Sequence, residues 1–518
     1  MKSVRWGKVI DNTRCIGCHA CTIACKAEHD VPLGVTRTYV KQVEVGHFPD
    51  VRRHFQVTRC NQCGEPPCVD ACPVTAMFRR PDGIVDFDRE RCIGCGACMA
   101  ACPYDAIYLN PQNHSAEKCN FCAHRIDLRL EPACVAVCPT QAIIVGDLND
   151  PGSEVSRIIS CQKVDVRRLE KGTQPRLFYV EATQFTLIPT AALQETLQMA
   201  TEVQGGPAGR GFAGSAREGE RASSIVDTAA AALLAYDNTH QAPWDWRVSA
   251  YTWTKFIATG PFLTVAVLTL AGDELGSGWE RAAGGVSLGF LVLTGAILVF
   301  HLTHPRRFFY ILRWPQRRSW LARGAYVITG YGLLLVAFVG ASLAGAEAVT
   351  TALLWPGAVA ATLTAIYTAF LLRQSKGRDL WQSRLLPFHF AVQAAVAGFA
   401  TLYLIAAARQ VESRVLAHMA WGLTAAVAGH LALALAEAAM PQATADGARA
   451  AHNLVRGRHR ASYRGGVLLG GVIPVVLATL GMTLGRKGPL QAAAALSLVG
   501  LALYEHAYIQ AGQSLPLS

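Results

Sequence analysis

The stretch Cys15-Ile-Gly-Cys18-His-Ala-Cys21-Thr-Ile-Ala-Cys25 spaces its cysteines as C-x2-C-x2-C-x3-C. That spacing suits iron–sulfur ligation. Three more groups of four follow: Cys60, Cys63, Cys68 and Cys72; Cys92, Cys95, Cys98 and Cys102; Cys119, Cys122, Cys134 and Cys138. Together they use all but one of the 17 cysteines, and the remaining one is Cys161.

Thiolates are soft ligands that select iron–sulfur clusters or zinc. Zinc sites usually join two distant C-x2-C pairs, whereas here three close cysteines precede a remote fourth. Such a loop wraps three corners of a cluster, and the fourth cysteine reaches the neighbouring cluster. In groups two to four a proline follows the last cysteine (Pro73, Pro103, Pro139) and stops the helix there. Gly17, Gly94 and Gly96 let the backbone approach inorganic sulfur. A secreted disulfide scaffold is the competing reading, but Met1–Ile10 has no apolar signal-peptide core, and disulfide frameworks do not repeat this tight spacing. Reduced thiols suit the cytoplasm.

Four groups make two ferredoxin-like modules. Groups two and three exchange their fourth ligands, giving one cluster on Cys60, Cys63, Cys68 and Cys102 and one on Cys92, Cys95, Cys98 and Cys72. The outer groups close around them, with Cys15, Cys18, Cys21 and Cys138 on one cluster and Cys119, Cys122, Cys134 and Cys25 on another. Each quartet can hold one cluster. Group four carries an 11-residue insertion between Cys122 and Cys134. Cys161 lies outside any ligand spacing and reads as a buried, inert thiol.

A chain of 518 residues exceeds one domain. Its mean hydropathy of +0.24 averages two unlike halves, because every cysteine lies before residue 162 and the long apolar runs all lie after residue 248. Residues 1–185 read as the α+β double ferredoxin-like iron–sulfur domain. Residues 186–243, rich in glycine, alanine and arginine, read as a flexible linker, with a short helix over 225–236. Residues 244–518 read as an all-α bundle of eight transmembrane helices, at 249–271, 283–303, 322–343, 352–372, 385–408, 416–439, 465–484 and 489–511. Trp244 and Trp246 are expected at the membrane–water interface. The net charge of +11 does not indicate nucleic-acid binding, since no basic stripe interleaved with aromatics is present. Its arginines sit between apolar runs. Loops on the N-terminal side of the bilayer hold fourteen lysines and arginines and the opposite loops five. The positive-inside rule then puts the clusters on the cytoplasmic side of the inner membrane.

Ionisable groups within the spans are costly and usually functional. Lys255, His301, Arg323, His389, Glu437, Glu505 and His506 fall near the helix ends on the cluster side, and His430 lies deeper. Such a set offers a quinone hydrogen-bond donors and proton carriers.

The cysteine groups resemble the iron–sulfur subunit of the dimethyl sulfoxide and polysulfide reductase families, over essentially all of 1–185; all 16 of that family's ligand positions are cysteine here, which implies four [4Fe-4S] clusters. The segment His301-Leu-Thr-His304-Pro305-Arg306-Arg307-Phe308-Phe309-Tyr310, with Arg317-Arg318-Ser319-Trp320-Leu321-Ala322-Arg323-Gly324, resembles the NrfD/polysulfide reductase anchor family. Tyr251-Thr252-Trp253-Thr254-Lys255 and Ala511-Gly512-Gln513 fit it too. The resemblance implies a membrane subunit of a quinone-linked oxidoreductase, with its substrate site on a separate molybdopterin-type (molybdenum or tungsten) catalytic subunit and with menaquinone or ubiquinone as the membrane partner. It also implies that the group-one/group-four module faces the catalytic subunit. His301 matches a quinol-site histidine of a related anchor. Arg323 stands where that anchor has a glutamate, which turns attention to Glu437 and Glu505. Rival readings are a cluster-driven proton pump using His430 and Glu437, and a haem-bearing anchor with axial histidines from separate helices.

Overall fold

The computed structural model describes residues 4–47, 49–188, 198–200, 232–238, 240–273, 275–407 and 413–518. The chain divides into two units: Met1–Pro243 with Ser375–Gly377 and Pro516–Ser518, and Trp244–Gln374 with Arg378–Leu515.

The first unit runs β1 (Trp6–Asp11), α1 (Ala20–Glu28), β2 (Tyr39–His47), β3 (Asp50–Thr58), α2 (Pro67–Ala71), β4 (Met77–Arg79), β5 (Val85–Phe87), α3 (Ala97–Ala101), β6 (Ile107–Leu109), β7 (Ala116–Lys118), α4 (Ala123–Asp127), α5 (Ala133–Ala136), β8 (Ile143–Asp147), α6 (Glu154–Cys161), β9 (Val164–Asp165), β10 (Leu177–Val180), α7 (Gln184–Leu187), β11 (Gln198–Ala200) and β12 (Ala232–Asn238). The cysteine loops dictate the short helices. Cys72 and Cys102 end α2 and α3 with extended backbone, at ψ of 116° and 118°, because a following proline ring clashes with a helical residue before it. Gly17 has a φ of +66°, and a Cβ there would run into the Phe55 ring.

One sheet has the order β8-β1-β10-β9. Antiparallel pairing of β1 with β8 brings the loop after β1, which is group one, beside the end of group four, which precedes β8. Ile10, Val40, Val57, Ile143 and Tyr179 close a core there with Cys21 and Cys134. Hairpin β4–β5 lies between groups two and three, and hairpin β6–β7 between groups three and four. The other four-stranded sheet, β11-β12-β2-β3, corrects the expected helix over 225–236. Residues 232–238 are a strand antiparallel to β2, and 225–231 lie outside the described residues. Most of the expected linker lies outside them as well. Cys161 also departs from expectation: it is exposed, because α6 is amphipathic and packs through Val155, leaving its last residue at the surface.

The second unit contains α8 (Trp246–Leu270), α9 (Ser277–His301), α10 (Tyr310–Arg313), α11 (Trp320–Leu343), α12 (Glu347–Gln374), α13 (Leu386–Ala407), α14 (Ser413–Ala439), α15 (Ala445–Val455), α16 (Arg460–Val467), α17 (Ile473–Thr483) and α18 (Lys487–Gly512). A π-helical turn, Leu468–Val472, joins α16 and α17 into one span. Among the described residues eight helices are long and apolar enough to cross a membrane. The apolar windows of α8, α13 and α18 are 72, 61 and 56% buried, against 28 and 22% for α9 and α11. The first three therefore form the interior, and the others turn Val292, Leu333 and Val336 outward. α13 packs against α8, α12, α14 and α18. Gly260 of α8 and Gly398 of α13 meet backbone to backbone, and so do Gly470 and Gly500. Small residues permit such close crossings. Trp244 is buried and stacked on Trp381 with ring centroids 5.3 Å apart. Trp246 is exposed.

Candidate functional site

Cysteine sulfurs from separate loops converge on common cavities. Cys15, Cys18, Cys21 and Cys138 line one of about 330 Å³. Cys60, Cys63, Cys68 and Cys102 line one of about 320 Å³, and Cys72, Cys92, Cys95 and Cys98 one of about 340 Å³. Cys25 lies in the field of Cys119, Cys122 and Cys134, where α1 packs on α5. Among the described residues no group of three or more histidine, cysteine or acidic side chains is arranged to hold a single metal ion. Four thiolates around a mononuclear zinc would approach within about 4 Å of one another, so the quartets suit a larger polynuclear centre. The thiols are poised for it. Burial pushes Cys25 and Cys95 up to about 12 and Cys102 up to about 11. Such groups ionise only when metal compensates their charge.

Cationic side chains accompany the quartets unevenly. Arg59 is 1% exposed and donates from Nη1 to Cys134 Sγ at 3.0 Å. Its Nε and Nη2 have no hydrogen-bond partner among the described residues. Lys118 is fully buried, lines the cavity of Cys60, Cys63, Cys68 and Cys102, and donates to the Cys119 carbonyl at 3.2 Å. Lys8 sits 4.1 Å over the Phe121 ring. Burial pushes the Cys119 thiol up, but Lys8, Arg59, the Phe121 backbone N–H and Lys118 together outweigh it and hold the thiol below its ordinary value. His29 Nε2 lies 3.2 Å from Cys122 Sγ, and burial holds the imidazole near 3 and neutral. Nothing in the sequence spacing signals Arg59, Lys118, Lys8 or His29.

The membrane unit buries a polar network around α13. His389 is the hinge: its Nδ1 lies 2.9 Å from Glu437 Oε2 and its Nε2 lies 2.9 Å from His430 Nδ1. Tyr504 donates to the same Glu437 oxygen at 3.3 Å and Ser383 to the other. Direct contact between the two imidazoles leaves no room for a metal ion between them. One turn deeper, Gln393 donates to Glu505 Oε1 at 2.8 Å. Lys255, fully buried, donates to Thr368 Oγ1 at 2.7 Å and lies about 5 Å from the rings of Phe256, Tyr367 and Phe390. It also feels the Glu505 carboxylate. Glu505 Oε2, Gln393 Oε1 and His430 Nε2 are buried without partners among the described residues, and each such group costs about 1–3 kcal/mol unless something else satisfies it.

Of the sequence candidates, this network gathers Lys255, His389, His430, Glu437 and Glu505. It does not include His301, which lies half-buried with Nδ1 3.4 Å from Asp245. Arg323 is outside it too: exposed, it donates to the Arg317 carbonyl and lies over Trp320. His506 is half-buried near His459. Gln393, Thr368 and Tyr504 were missed. The available signal for Gln393 was an amide one turn after His389 in an otherwise apolar run.

Residues 236–516 match the family model described as polysulphide reductase, NrfD. The chain belongs to that family. Ahead of its NrfD part, residues 7–73 and 51–148 each match a 4Fe-4S dicluster domain. The same region is 43% identical over 180 residues to a tetrathionate reductase component of Salmonella typhimurium, covering 34% of this chain and 72% of that protein. It is 41% identical over 182 residues to a polysulfide reductase component of Wolinella succinogenes, covering 34% and 94%. It is 46% identical over 157 residues to the thiosulfate reductase electron transfer subunit PhsB of Salmonella typhi, covering 30% and 81%. The protein thus fuses an iron–sulfur electron-transfer subunit to an NrfD anchor. It is a multi-pass membrane protein of the oxidoreductase-complex type.

Proposed function

We propose that the chain carries electrons through four [4Fe-4S] clusters between membrane quinone and a molybdopterin-type catalytic partner. The ligand sets proposed are the four quartets: Cys15, Cys18, Cys21, Cys138; Cys25, Cys119, Cys122, Cys134; Cys60, Cys63, Cys68, Cys102; and Cys72, Cys92, Cys95, Cys98. When bound, the clusters supply one-electron redox chemistry along the chain of quartets. The relatives' names as reductase components support a separate catalytic partner. The excess of basic residues in one set of loops supports a cytoplasmic iron–sulfur domain in the inner membrane.

The observation carrying the quinone reading is the buried network of Lys255, Gln393, Glu505, His389, His430 and Glu437, with its unpartnered Glu505, Gln393 and His430 atoms. Quinone chemistry needs a donor beside a carbonyl oxygen and a route for two protons. Lys255 Nζ and the Gln393 amide are donors. Each imidazole accepts a proton at one nitrogen while releasing one at the other, so Glu437, His389 and His430 form a hydrogen-bonded relay. His301 with Asp245 is kept as a second candidate contact, on resemblance. The test is binding of a fluorescent quinone-site inhibitor to the full chain in detergent. Gln393→Ala and Lys255→Met each weaken it at least tenfold while iron content stays at the wild-type level. Unchanged affinity in both variants contradicts this location.

A further inference from the structure

The four quartets are chemically alike, and what distinguishes them is the charge around them. Arg59 touches Cys134 and lies in the field of Cys21 and Cys119, so its guanidinium stands between the group-one quartet and the quartet of Cys25, Cys119, Cys122 and Cys134. Lys118 holds the Cys119 carbonyl and also lines the Cys60 quartet's cavity, so its ammonium stands between those two. The quartet of Cys25 therefore has a buried cation on both sides, with His29 at Cys122 as a further neighbour. By contrast, no cationic side chain among the described residues lines the cavity of Cys72, Cys92, Cys95 and Cys98. There, backbone N–H groups of Ala76 and Met77 donate to Cys72 and that of Ala116 to Cys92. A buried charge without full pairing is expensive, and Arg59 leaves Nε and Nη2 unpartnered among the described residues. Those N–H groups remain available to an anionic centre.

We propose that Arg59 and Lys118 set the redox profile of the chain. They make the cluster on Cys25, Cys119, Cys122 and Cys134 the one of highest potential, where an electron rests, and leave the cluster on Cys72, Cys92, Cys95 and Cys98 the lowest. Each cluster gains one electron on reduction, so a fixed cation beside it favours the reduced form, and hydrogen bonds to the sulfurs act in the same direction. Both residues act through the cluster and are positioning residues. The inference rests on the four-cluster reading above and adds an order to it.

The test is a potentiometric titration of the purified full chain followed by electron paramagnetic resonance, with dithionite as reductant and ferricyanide as oxidant. Iron and acid-labile sulfide are assayed in parallel. Wild type shows four transitions. In Arg59→Gln the highest-potential transition moves down, so that at the wild-type midpoint its ratio of reduced to oxidised cluster falls at least tenfold, a shift of about 59 mV for one electron. The lowest transition stays in place. Arg59→Lys, which keeps the charge, restores most of the shift. Lys118→Met lowers two transitions together, and it carries the test if Arg59→Gln does not assemble. A highest transition unmoved by Arg59→Gln at full iron content overturns the inference, as does an equal shift in Arg59→Lys, or no shift in Lys118→Met. Fewer than four clusters in wild type would sink the four-cluster reading itself, which separates the two failures.

Discussion

At the scale of single residues, the fourth cysteine of each group belongs to its neighbour's cavity. Cys102 follows Cys98 by four residues yet lines the cavity of Cys60, Cys63 and Cys68. Cys102→Ser should therefore remove the cluster of the Cys60 group and spare that of Cys92, Cys95 and Cys98, read as loss of one paramagnetic signal and about a quarter of the iron. In the membrane unit, Glu505→Gln keeps the shape of the Gln393 contact and removes a proton-carrying group. It should slow quinol-linked turnover about 100-fold, the lower range for general acid–base groups, with cluster content unchanged. The cysteines were legible because their ligation is written locally, within one loop each. Lys255 and Glu505 were legible as ionisable residues in apolar runs. Arg59 was not, because an arginine before Cys60 reads as an ordinary polar residue until β3 and α5 are folded together.

At the scale of elements, the bundle depends on a few close crossings. A side chain at Gly398 would run into the Gly260 carbonyl and the Thr264 side chain, whereas one at Gly340 meets nothing within 4 Å. Gly398→Leu should lose about 3 kcal/mol, seen as a lowered midpoint of thermal unfolding in detergent, and Gly340→Leu should lose far less. The strand β12 is followed by a pH-sensitive clasp. His240 Nδ1 lies 2.5 Å from Asp105, and its Nε2 lies 3.1 Å from Asp237, which pairs with Lys41. Burial alone would lower the imidazole, but Asp237 and Asp105 outweigh it and raise it to about 9. A group raised in the folded state stabilises below its unfolded value near 6.5 and loses that contribution as pH rises through about 9, on the order of 3 kcal/mol in total. Unfolding of the iron–sulfur unit should thus become easier between those pH values, and His240→Gln should flatten the dependence. This strand escaped the sequence reading because the helix-favouring run of alanines outweighed the local pattern, while pairing with β2 decides the conformation. Propensity yields to such tertiary pairing routinely.

At the scale of the whole molecule, the eight spans were readable from length and hydropathy, since a helix needs about 20 apolar residues to cross a bilayer. Which spans are interior was not read, because every span passes the same length and hydropathy test; the interior α8 is the less apolar, with mean hydropathy 1.3 against 1.9 for α11, and buries Lys255 and several threonines. Orientation is testable through Cys161, exposed at the end of α6. With the iron–sulfur domain in the cytoplasm, a membrane-impermeant maleimide should label Cys161 in inverted vesicles and not in intact cells, with labelling lost in Cys161→Ser. The central claim joins the two halves of the chain: electrons pass between the cysteine quartets and a quinone held in the spans. Its most direct measurement reduces the clusters of the full chain with limiting dithionite and then adds excess menaquinone analogue without air. The account predicts reoxidation of the clusters in wild type, with the rate falling at least tenfold in Lys255→Met and Glu505→Gln. Clusters that stay reduced in wild type under excess quinone would contradict it.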